Sequence, residues 1–249
     1  CMAMRSCGVA LITALWIGYA AVGESPPAAA HRVLFGQSAP LEGPTRALGQ
    51  AMHAGLLAAF HEINAGGGVH DRSLELISRN DGYEPAAAAE NAWDLIHKES
   101  VFALIGCVGT PTTRAIRAVA RHENVPIVGP FTGAAGLRRA PFNEVLNVRA
   151  SYAQELERIV AEFVDTRGRC RIACLYQNDA FGLTCIEGLE DALSRRGLTP
   201  VAVAPFERNT SAVKAPFLAI RRAEPDAIIL IGTYSPCAKF VRLVRQFDM

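Results

Sequence analysis

The sequence has almost no excess charge of either sign. Its 249 residues include 25 Lys and Arg against 24 Asp and Glu, so the formal net charge is +1 at pH 7. Proteins that bind nucleic acid carry a clustered excess of basic residues, and the balance here argues against such a partner. Half of the residues are hydrophobic and 20% are charged, which is the composition of an ordinary globular protein.

Catalytic and metal-binding motifs are missing as well. The run Gly66–Gly68 follows a predicted helix instead of joining a strand to a helix, so it lacks the context of a phosphate-binding loop. Ser235 precedes Pro236 as in a helix cap, without a surrounding Gly-x-Ser-x-Gly motif. His53 and His61 lie too far apart on one predicted helix to share a metal ion. The sequence therefore predicts no enzyme, no cofactor and no metal site.

Long hydrophobic runs are confined to the start of the chain. Arg5 precedes an apolar run over residues 8–22, and small residues follow up to Ala30. This is the layout of a secretory signal peptide, and the run is shorter than the roughly 20 residues that a membrane-spanning helix needs. We predict a signal peptide over residues 1–30 and a mature, periplasmic chain from His31. An uncleaved membrane anchor is the alternative, and both place the folded part outside the cytoplasm.

Cysteines are few beyond the predicted signal peptide. Of the seven in the chain, Cys1 and Cys7 lie in that segment, which leaves an odd number and an open disulfide pairing. Cys170 and Cys174 fall at alternating positions of a predicted strand and therefore on the same face. We predict buried free thiols at these two positions rather than metal ligands.

From His31 onward, short runs rich in Val, Ile and Leu alternate with longer segments of helical period. Such repeated strand–helix units are typical of parallel sheets covered by helices. The predicted strands cover residues 32–37, 74–79, 102–106, 126–129, 170–176, 200–206 and 226–232. A long irregular stretch over residues 130–148 interrupts the series, and we place a domain crossing near residues 147–151. The sequence predicts an α/β fold of two doubly wound parallel-sheet lobes, residues 31–148 and 149–249.

Helical periodicity fills the segments between these strands. The helix after the second strand is expected to bury Ala89, Ala92, Trp93 and Ile96. Thr110 is predicted to cap the helix after the third strand, because it stands immediately before a proline.

Ligands of open parallel sheets bind at the C-terminal ends of the strands, and several predicted strand ends carry suggestive residues. A capping hydroxyl at Thr110 can meet a ligand carboxylate beside the positive helix end, or it can serve as a cap alone. Residues 131–133 (FTG) offer an aromatic wall, a hydroxyl and an approachable backbone, or form only a turn. Phe181 and Tyr234 can close over a ligand, or pack within their own lobe.

Seven segments of the sequence follow one another in an order that is found in one known family. They are GQSAPLEGPTRALG, EINAGGGVHDRSLELISRNDGYEP, ALIGCVGTPTT, VPIVGPFTGAAGLRR, NVRASY, LYQNDAFG and PDAIILIGTYSPCAKFVR. With them the sequence resembles the branched-chain amino-acid type of periplasmic binding protein, the extracytoplasmic receptors of ABC importers. The resemblance implies a type I fold, in which two lobes joined by three crossing strands close around a ligand and deliver it to a membrane permease.

The resemblance also implies a binding site for an amino acid or a related small carboxylate. Its residues would be Leu48, Thr110, Phe131, Thr132, Gly133, Phe181 and Tyr234. The threonine and the backbone of residues 131–133 would hold the carboxylate, the two later aromatic residues would close from the second lobe, and the leucine would lie at the rim. Family members often carry an aromatic residue at position 48 and small residues at 131 and 132, so the side-chain pocket here is expected to differ.

The acidic residue that usually receives the ligand ammonium in this family would fall beyond Met249. We therefore expect the chain to be a fragment that lacks the C-terminal part of the fold. The same two-lobed fold also serves signalling receptors and the effector domains of repressors. A ligand-sensing extracellular domain of a receptor or regulator is thus the alternative function.

Overall fold

Two parallel β-sheets carry the fold in the computed structural model, which describes residues 32–138 and 144–249. The predicted signal peptide lies outside the described residues. The first sheet has the strand order β2-β1-β3-β4-β5 and the second the order β7-β6-β8. The strands are β1 (Arg32–Ala39), β2 (Ser73–Asn80), β3 (Ala103–Ile105), β4 (Ile127–Val128), β5 (Val145–Leu146), β6 (Ile172–Gln177), β7 (Ala202–Phe206) and β8 (Ala227–Ile231).

Helices connect the strands, as the alternating pattern predicts. They are α1 (Arg46–Ala65), α2 (Pro85–His97), α3 (Thr110–His122), α4 (Tyr152–Val160), α5 (Ala180–Ser194), α6 (Lys214–Arg222) and α7 (Tyr234–Gln246). A short 3-10 helix covers Ala135–Leu137, and a π-helical turn, Ala161–Thr166, extends α4. Parallel neighbours need a crossover of this kind, because a tight turn can join only antiparallel strands.

In each sheet, the strand that comes first in the sequence lies inside the sheet and pairs with a neighbour on both of its edges. β1 pairs with β2 over its whole length, from Arg32↔Ser73 to Ala39↔Asn80, and with β3 on its other edge. β6 lies in the same way between β7 and β8. The predicted doubly wound α/β fold is confirmed, and each sheet has a point where the connections diverge, which is where such folds bind ligands. The lobe boundary between residues 148 and 149 stays a prediction.

The two faces of β6, the central strand of the second sheet, pack into two different hydrophobic clusters. Ile172 and Cys174 of β6 belong to one buried cluster together with residues of α4 and α5. Ala173 and Leu175, which alternate with them, belong to a second cluster that contains Phe217 and Phe240. Successive side chains of a strand point to opposite faces, so both faces of β6 are covered. This is why its sequence is a nearly continuous apolar run.

Of the four residues predicted for the inner face of α2, Ala92 is buried, Ala89 and Ile96 are partly buried, and Trp93 is exposed. Trp93 is 48% exposed, whereas Leu95 is fully buried with Ala88 and Ala92. The three buried residues are spaced as one helical stripe, and Trp93 falls beside that stripe. Its ring stacks on the imidazole of His97 at the surface, with ring centroids 4.5 Å apart.

Two other predictions need correction. Cys170 is exposed and precedes β6, so it does not share a buried strand face with Cys174, which is buried as expected. The irregular stretch after β4 contains a further strand, because Ile127 of β4 pairs in parallel with Val145 of β5. A strand of two residues is too short to show alternation in the sequence.

A buried carboxyl group follows β2. Ser38 Oγ donates to one oxygen of Asp81 at 2.8 Å, and the backbone N–H of Tyr83 donates to the other at 2.8 Å. Asp81 is only 3% exposed, and its burial raises the pKa from 3.8 to about 6. The folded protein therefore holds a proton on this group over a pH range in which the unfolded chain has lost it.

We predict that the stability of the fold falls between about pH 4 and pH 6 because of Asp81. In that window the folded state binds more protons, so the free energy of unfolding decreases as the pH rises, by at most about 3 kcal/mol for a shift of this size. Asp81→Asn should flatten this slope, since the amide can accept from Tyr83 and donate to Ser38. Urea unfolding at several pH values measures the effect, and an equal slope in both proteins would contradict it.

Candidate functional site

A cavity of about 300 Å³ lies where the C-terminal ends of the two sheets meet. From the first sheet it is lined by Tyr83 after β2, by Val108 and Gly109 after β3, and by Phe131 after β4. From the second sheet it is lined by the end of β8 and the segment Ile231–Tyr234 that leads into α7. Ligand sites of parallel sheets occupy this position.

Within the described ranges, five aromatic side chains line the cavity: Tyr83, Phe131, Tyr152, Phe181 and Tyr234. The rings of Tyr152 and Phe181 are in contact, with centroids 5.2 Å apart and planes inclined at 56°. Leu48, Leu156, Ile159 and residues 229–231 add an aliphatic wall. An apolar group of a ligand would find contact on several sides, which is the usual composition of a small-molecule site.

Direct hydrogen bonds connect the two sheets beside the cavity. The hydroxyl of Tyr234 donates to the backbone oxygen of Pro44 at 2.8 Å. Arg208, which follows β7, donates to Glu84 at 2.6 Å, and Asn209 donates to the same carboxylate at 2.7 Å. These contacts hold the ends of the sheets together around the cavity.

Two hydroxyl groups lie behind the cavity wall rather than in it. Thr110 and Thr132 are fully buried, and their Oγ1 atoms are 2.7 Å apart. The hydroxyl of Tyr152 is 3.5 Å from Thr110 Oγ1 and covers the pair from the cavity side. The backbone N–H of Tyr152 donates to Gly133 at 2.9 Å. The three residues Thr110, Thr132 and Gly133 thus form a layer beneath one tyrosine.

The predicted capping role of Thr110 is wrong. α3 starts at Thr110 itself, and Gly109 occupies the cap position with φ +102°. A side chain at Gly109 would also approach the Tyr83 ring to 2.3 Å. Both the positive φ and this close approach require glycine, so the chain enters the helix one residue earlier than the Thr-Pro pattern indicates.

The structure separates the seven predicted site residues into two groups. Leu48, Phe131, Phe181 and Tyr234 line the cavity, and the other three form the layer beneath Tyr152. Their part in binding stays a prediction. Sequence reasoning missed Tyr83 and Tyr152, although Tyr83 follows a predicted strand in DGYEP and Tyr152 stands in the quoted segment NVRASY.

Among the described residues, Arg149 and Glu155 are the two charged side chains that line the cavity, and they form an ion pair with each other. The guanidinium carbon of Arg149 lies 5.1 Å from the ring centre of Phe131 and 5.4 Å from that of Tyr152. Contacts with aromatic faces of this kind stabilise a cation. The described residues contain no cluster of three or more His, Cys, Asp or Glu side chains that could hold a metal ion.

Comparison with known proteins identifies related sequences and folds. A family model described as periplasmic binding protein matches residues 33–249. The crystal structure of a possible leucine/isoleucine/valine-binding protein from Rhodopirellula baltica SH 1 is 36% identical, with a TM-score of 0.84, over 91% of this chain and 62% of that one.

Two curated relatives match at lower identity. Leu/Ile/Val-binding protein homolog 7 of Brucella abortus (strain 2308) is 24% identical over 94% of this chain and 60% of its own length. The chemotactic signal transduction system substrate-binding protein BasB of Halobacterium salinarum is 27% identical over 82% of this chain and 51% of its own length. The chain therefore spans between half and two thirds of the length of these relatives.

The contact between Gly133 and Tyr152 generates a test of the layer beneath the cavity. A Cβ atom at Gly133 would lie 2.6 Å from the Tyr152 ring, whereas one at Gly136 would have its nearest neighbour at 3.6 Å. We predict that Gly133→Ala lowers the free energy of unfolding by about 1–3 kcal/mol, because it forces Tyr152 to move. Gly136→Ala is the matched control and should change it by less than about 0.5 kcal/mol. Urea unfolding measures both, and equal effects would refute the tight contact.

Proposed function

The chain belongs to the periplasmic binding protein family, and we propose that it captures an amino acid or a related small carboxylate in the cavity between its two sheets. The complete protein then acts as the extracytoplasmic solute-binding subunit of an ABC importer and delivers this ligand to a membrane permease. The observation that carries the proposal is the position of the aromatic cavity at the C-terminal ends of both sheets. Its relatives are named as binding proteins, not as enzymes.

The chemistry of the cavity supports a small ligand with an apolar part and charged groups. Aromatic and aliphatic side chains form most of the wall, while Arg149 and Glu155 supply charge at one place. The protein from Rhodopirellula baltica and the Brucella homolog are both described in terms of leucine, isoleucine and valine, which favours an amino acid. In this proposal Leu48, Phe131, Phe181 and Tyr234 contact the ligand.

Thr110, Thr132 and Gly133 support the site from behind. Their hydrogen bonds to each other and to Tyr152 fix the orientation of that tyrosine. A ligand carboxylate would reach the two hydroxyl groups after a movement of the Tyr152 ring.

Closure of the two sheets around the ligand is the proposed mechanism. The hydrogen bonds from Tyr234 to Pro44 and from Arg208 to Glu84 join the sheets across the cavity, so they would break in an open form. A ligand that contacts both sheets favours the closed form. A shift from 1:99 to 99:1 requires about 5.5 kcal/mol of differential binding.

The family acts outside the cytoplasm, and the proposed signal peptide over residues 1–30 agrees with this location. Within the part of the chain that the structure describes, no helix has both the length and the apolar character needed to cross a membrane.

A signalling role is the second candidate, and one relative favours it. BasB is named as the substrate-binding protein of a chemotactic signal transduction system. In that case the same cavity would capture the ligand, and the closed form would contact a membrane receptor instead of a permease. Deletion of the gene separates the two roles: loss of ligand uptake indicates the importer, whereas normal uptake with loss of chemotaxis indicates the receptor partner.

We predict that the full-length protein is stabilised by one class of L-amino acid in a thermal-shift screen that also contains small carboxylates and amides. Phe181→Ala should weaken binding about tenfold or more, because it removes an aromatic wall of the cavity. Thr110→Val should weaken it less, since this hydroxyl acts through Tyr152. Phe102→Ala is the control, because Phe102 is 66% exposed and lies outside the cavity. A flat screen over a folded protein would contradict the proposed ligand class.

A further inference from the structure

The helices on the two faces of the second sheet differ in how their charges are arranged. α6 and α7 cover one face, because Phe217 and Phe240 belong to the cluster that contains Ala173 and Leu175 of β6. α4 and α5 pack on the other face, within the other cluster. The two helix pairs therefore present separate outer surfaces to the solvent.

On the α4–α5 side, basic groups lie in ion pairs. Arg196 donates to Glu157 at 2.8 Å and to Asp165 at 2.7 Å. Arg195 donates to Glu157 and, at 2.6 Å, to Asp191. The positive charge of these arginines is therefore already balanced by neighbouring carboxylates.

The α6–α7 side carries basic groups without such partners. Between residues 214 and 249 the chain has six basic residues, all exposed, and three acidic ones. One of the acidic residues, Asp226, accepts from the backbone N–H groups of Cys170 and Arg171. None of the six basic side chains forms an ion pair with a residue that the structure describes. We call these six the basic surface: Lys214, Arg221, Arg222, Lys239, Arg242 and Arg245.

The spacing of the basic residues places them on the outer faces of the two helices. On α6, Lys214 and Arg222 lie eight residues apart, with Leu218 midway between them, so the three share one face. This leucine is 51% exposed, whereas Phe217 and Ile220 point into the core. On α7 the basic residues follow one another every three positions, so each is a surface neighbour of the next.

Aromatic contacts hold the ends of α6 and α7 together. Phe217 lies between Phe240 and Phe247, with ring centroids 5.8 and 5.4 Å away. The guanidinium carbon of Arg221 lies 5.3 Å from the ring centre of Phe247, which is 43% exposed. The cations of the two helices thus meet around an exposed aromatic ring.

We propose that the basic surface binds the anionic phospholipids of a membrane. Clustered Lys and Arg side chains are attracted to anionic headgroups, and exposed apolar side chains among them can enter the interface. Leu218 and Phe247 supply such apolar groups. The long stems of arginine and lysine can lie along the apolar boundary while their charged ends contact phosphate. This mixture of basic and apolar groups fits a lipid surface better than an acidic protein segment.

The basic surface is separate from the cavity. None of its six described side chains lines the cavity, and α7 contributes to that lining only through Tyr234 at its first position. A protein bound to the membrane through α6 and α7 would therefore keep its cavity free. Such binding would hold the protein close to any partner embedded in the same membrane.

Vesicle co-sedimentation of the mature full-length protein, which starts at His31, tests the proposal. The mature form is used because the apolar run over residues 8–22 would bind membranes of any charge. Vesicles of phosphatidylcholine alone are compared with vesicles of equal parts phosphatidylcholine and phosphatidylglycerol. We expect about tenfold or more stronger binding to the anionic vesicles. This binding should be lost at about 1 M NaCl, where the Debye length is about 3 Å.

Matched variants separate the basic surface from the overall charge. Replacing four of its arginines by glutamine should lower the affinity for anionic vesicles about tenfold or more. These are Arg221, Arg222, Arg242 and Arg245. The control removes the same charge at four exposed arginines outside the basic surface and should lower the affinity less than about threefold. These are Arg158, Arg167, Arg169 and Arg195.

A smaller variant guards against loss of the fold. Arg242→Gln combined with Arg245→Gln leaves the contact between Arg221 and Phe247 in place and should still lower the affinity about threefold or more. Thermal unfolding verifies that each variant is folded.

Three results would overturn the proposal. The first is equal binding to both kinds of vesicle. The second is an equal loss in the variant and its charge-matched control, which would indicate a general effect of net charge. The third is binding to poly-L-glutamate without binding to anionic vesicles, which would favour an acidic protein partner instead.

Discussion

The parallel direction of every described strand pair is the constraint on which the site depends. Parallel strands must be joined by crossovers, so the chain returns along helices and all strands of a sheet end at one edge. That edge is where loops, helix N-termini and irregular segments collect. Because the two such edges face each other in this chain, residues as distant in sequence as Tyr83 and Tyr234 line one cavity.

Tyr152 connects the parts of this site. Its backbone is bound to Gly133, its hydroxyl lies over Thr110, and its ring contacts Phe181 on the other side of the cavity. Its ring also lies against the guanidinium of Arg149. A single side chain therefore links the buried hydroxyl pair, the aromatic wall and the charged pair. Movement of this ring would therefore change the surroundings of all three.

Few charged side chains line the cavity, so each of them has a larger effect on the electrostatic field there. Arg149 and Glu155 are partly shielded from water by aromatic and aliphatic neighbours, so their fields are screened less than those of surface ion pairs. A surface pair such as Arg167–Glu162 contributes little to stability. In the cavity pair, the guanidinium of Arg149 instead lies against the rings of Phe131 and Tyr152.

The sequence alone determined the class of fold, because the alternation of strand and helix periods is local and every strand except β5 lies in an apolar run of the chain. It also placed Phe131, Phe181 and Tyr234 near strand ends, which is a consequence of their positions in the βα units. It did not predict β5, whose two residues are too few to show a period, or the helix start at Thr110, where Gly109 occupies the cap position with a positive φ. Only the tertiary structure decided which strand-end residues face the cavity, which lie beneath Tyr152, and that Arg149 meets Glu155 there. These relations depend on how the ends of two sheets approach each other, and such distances leave no periodic signal in a single sequence.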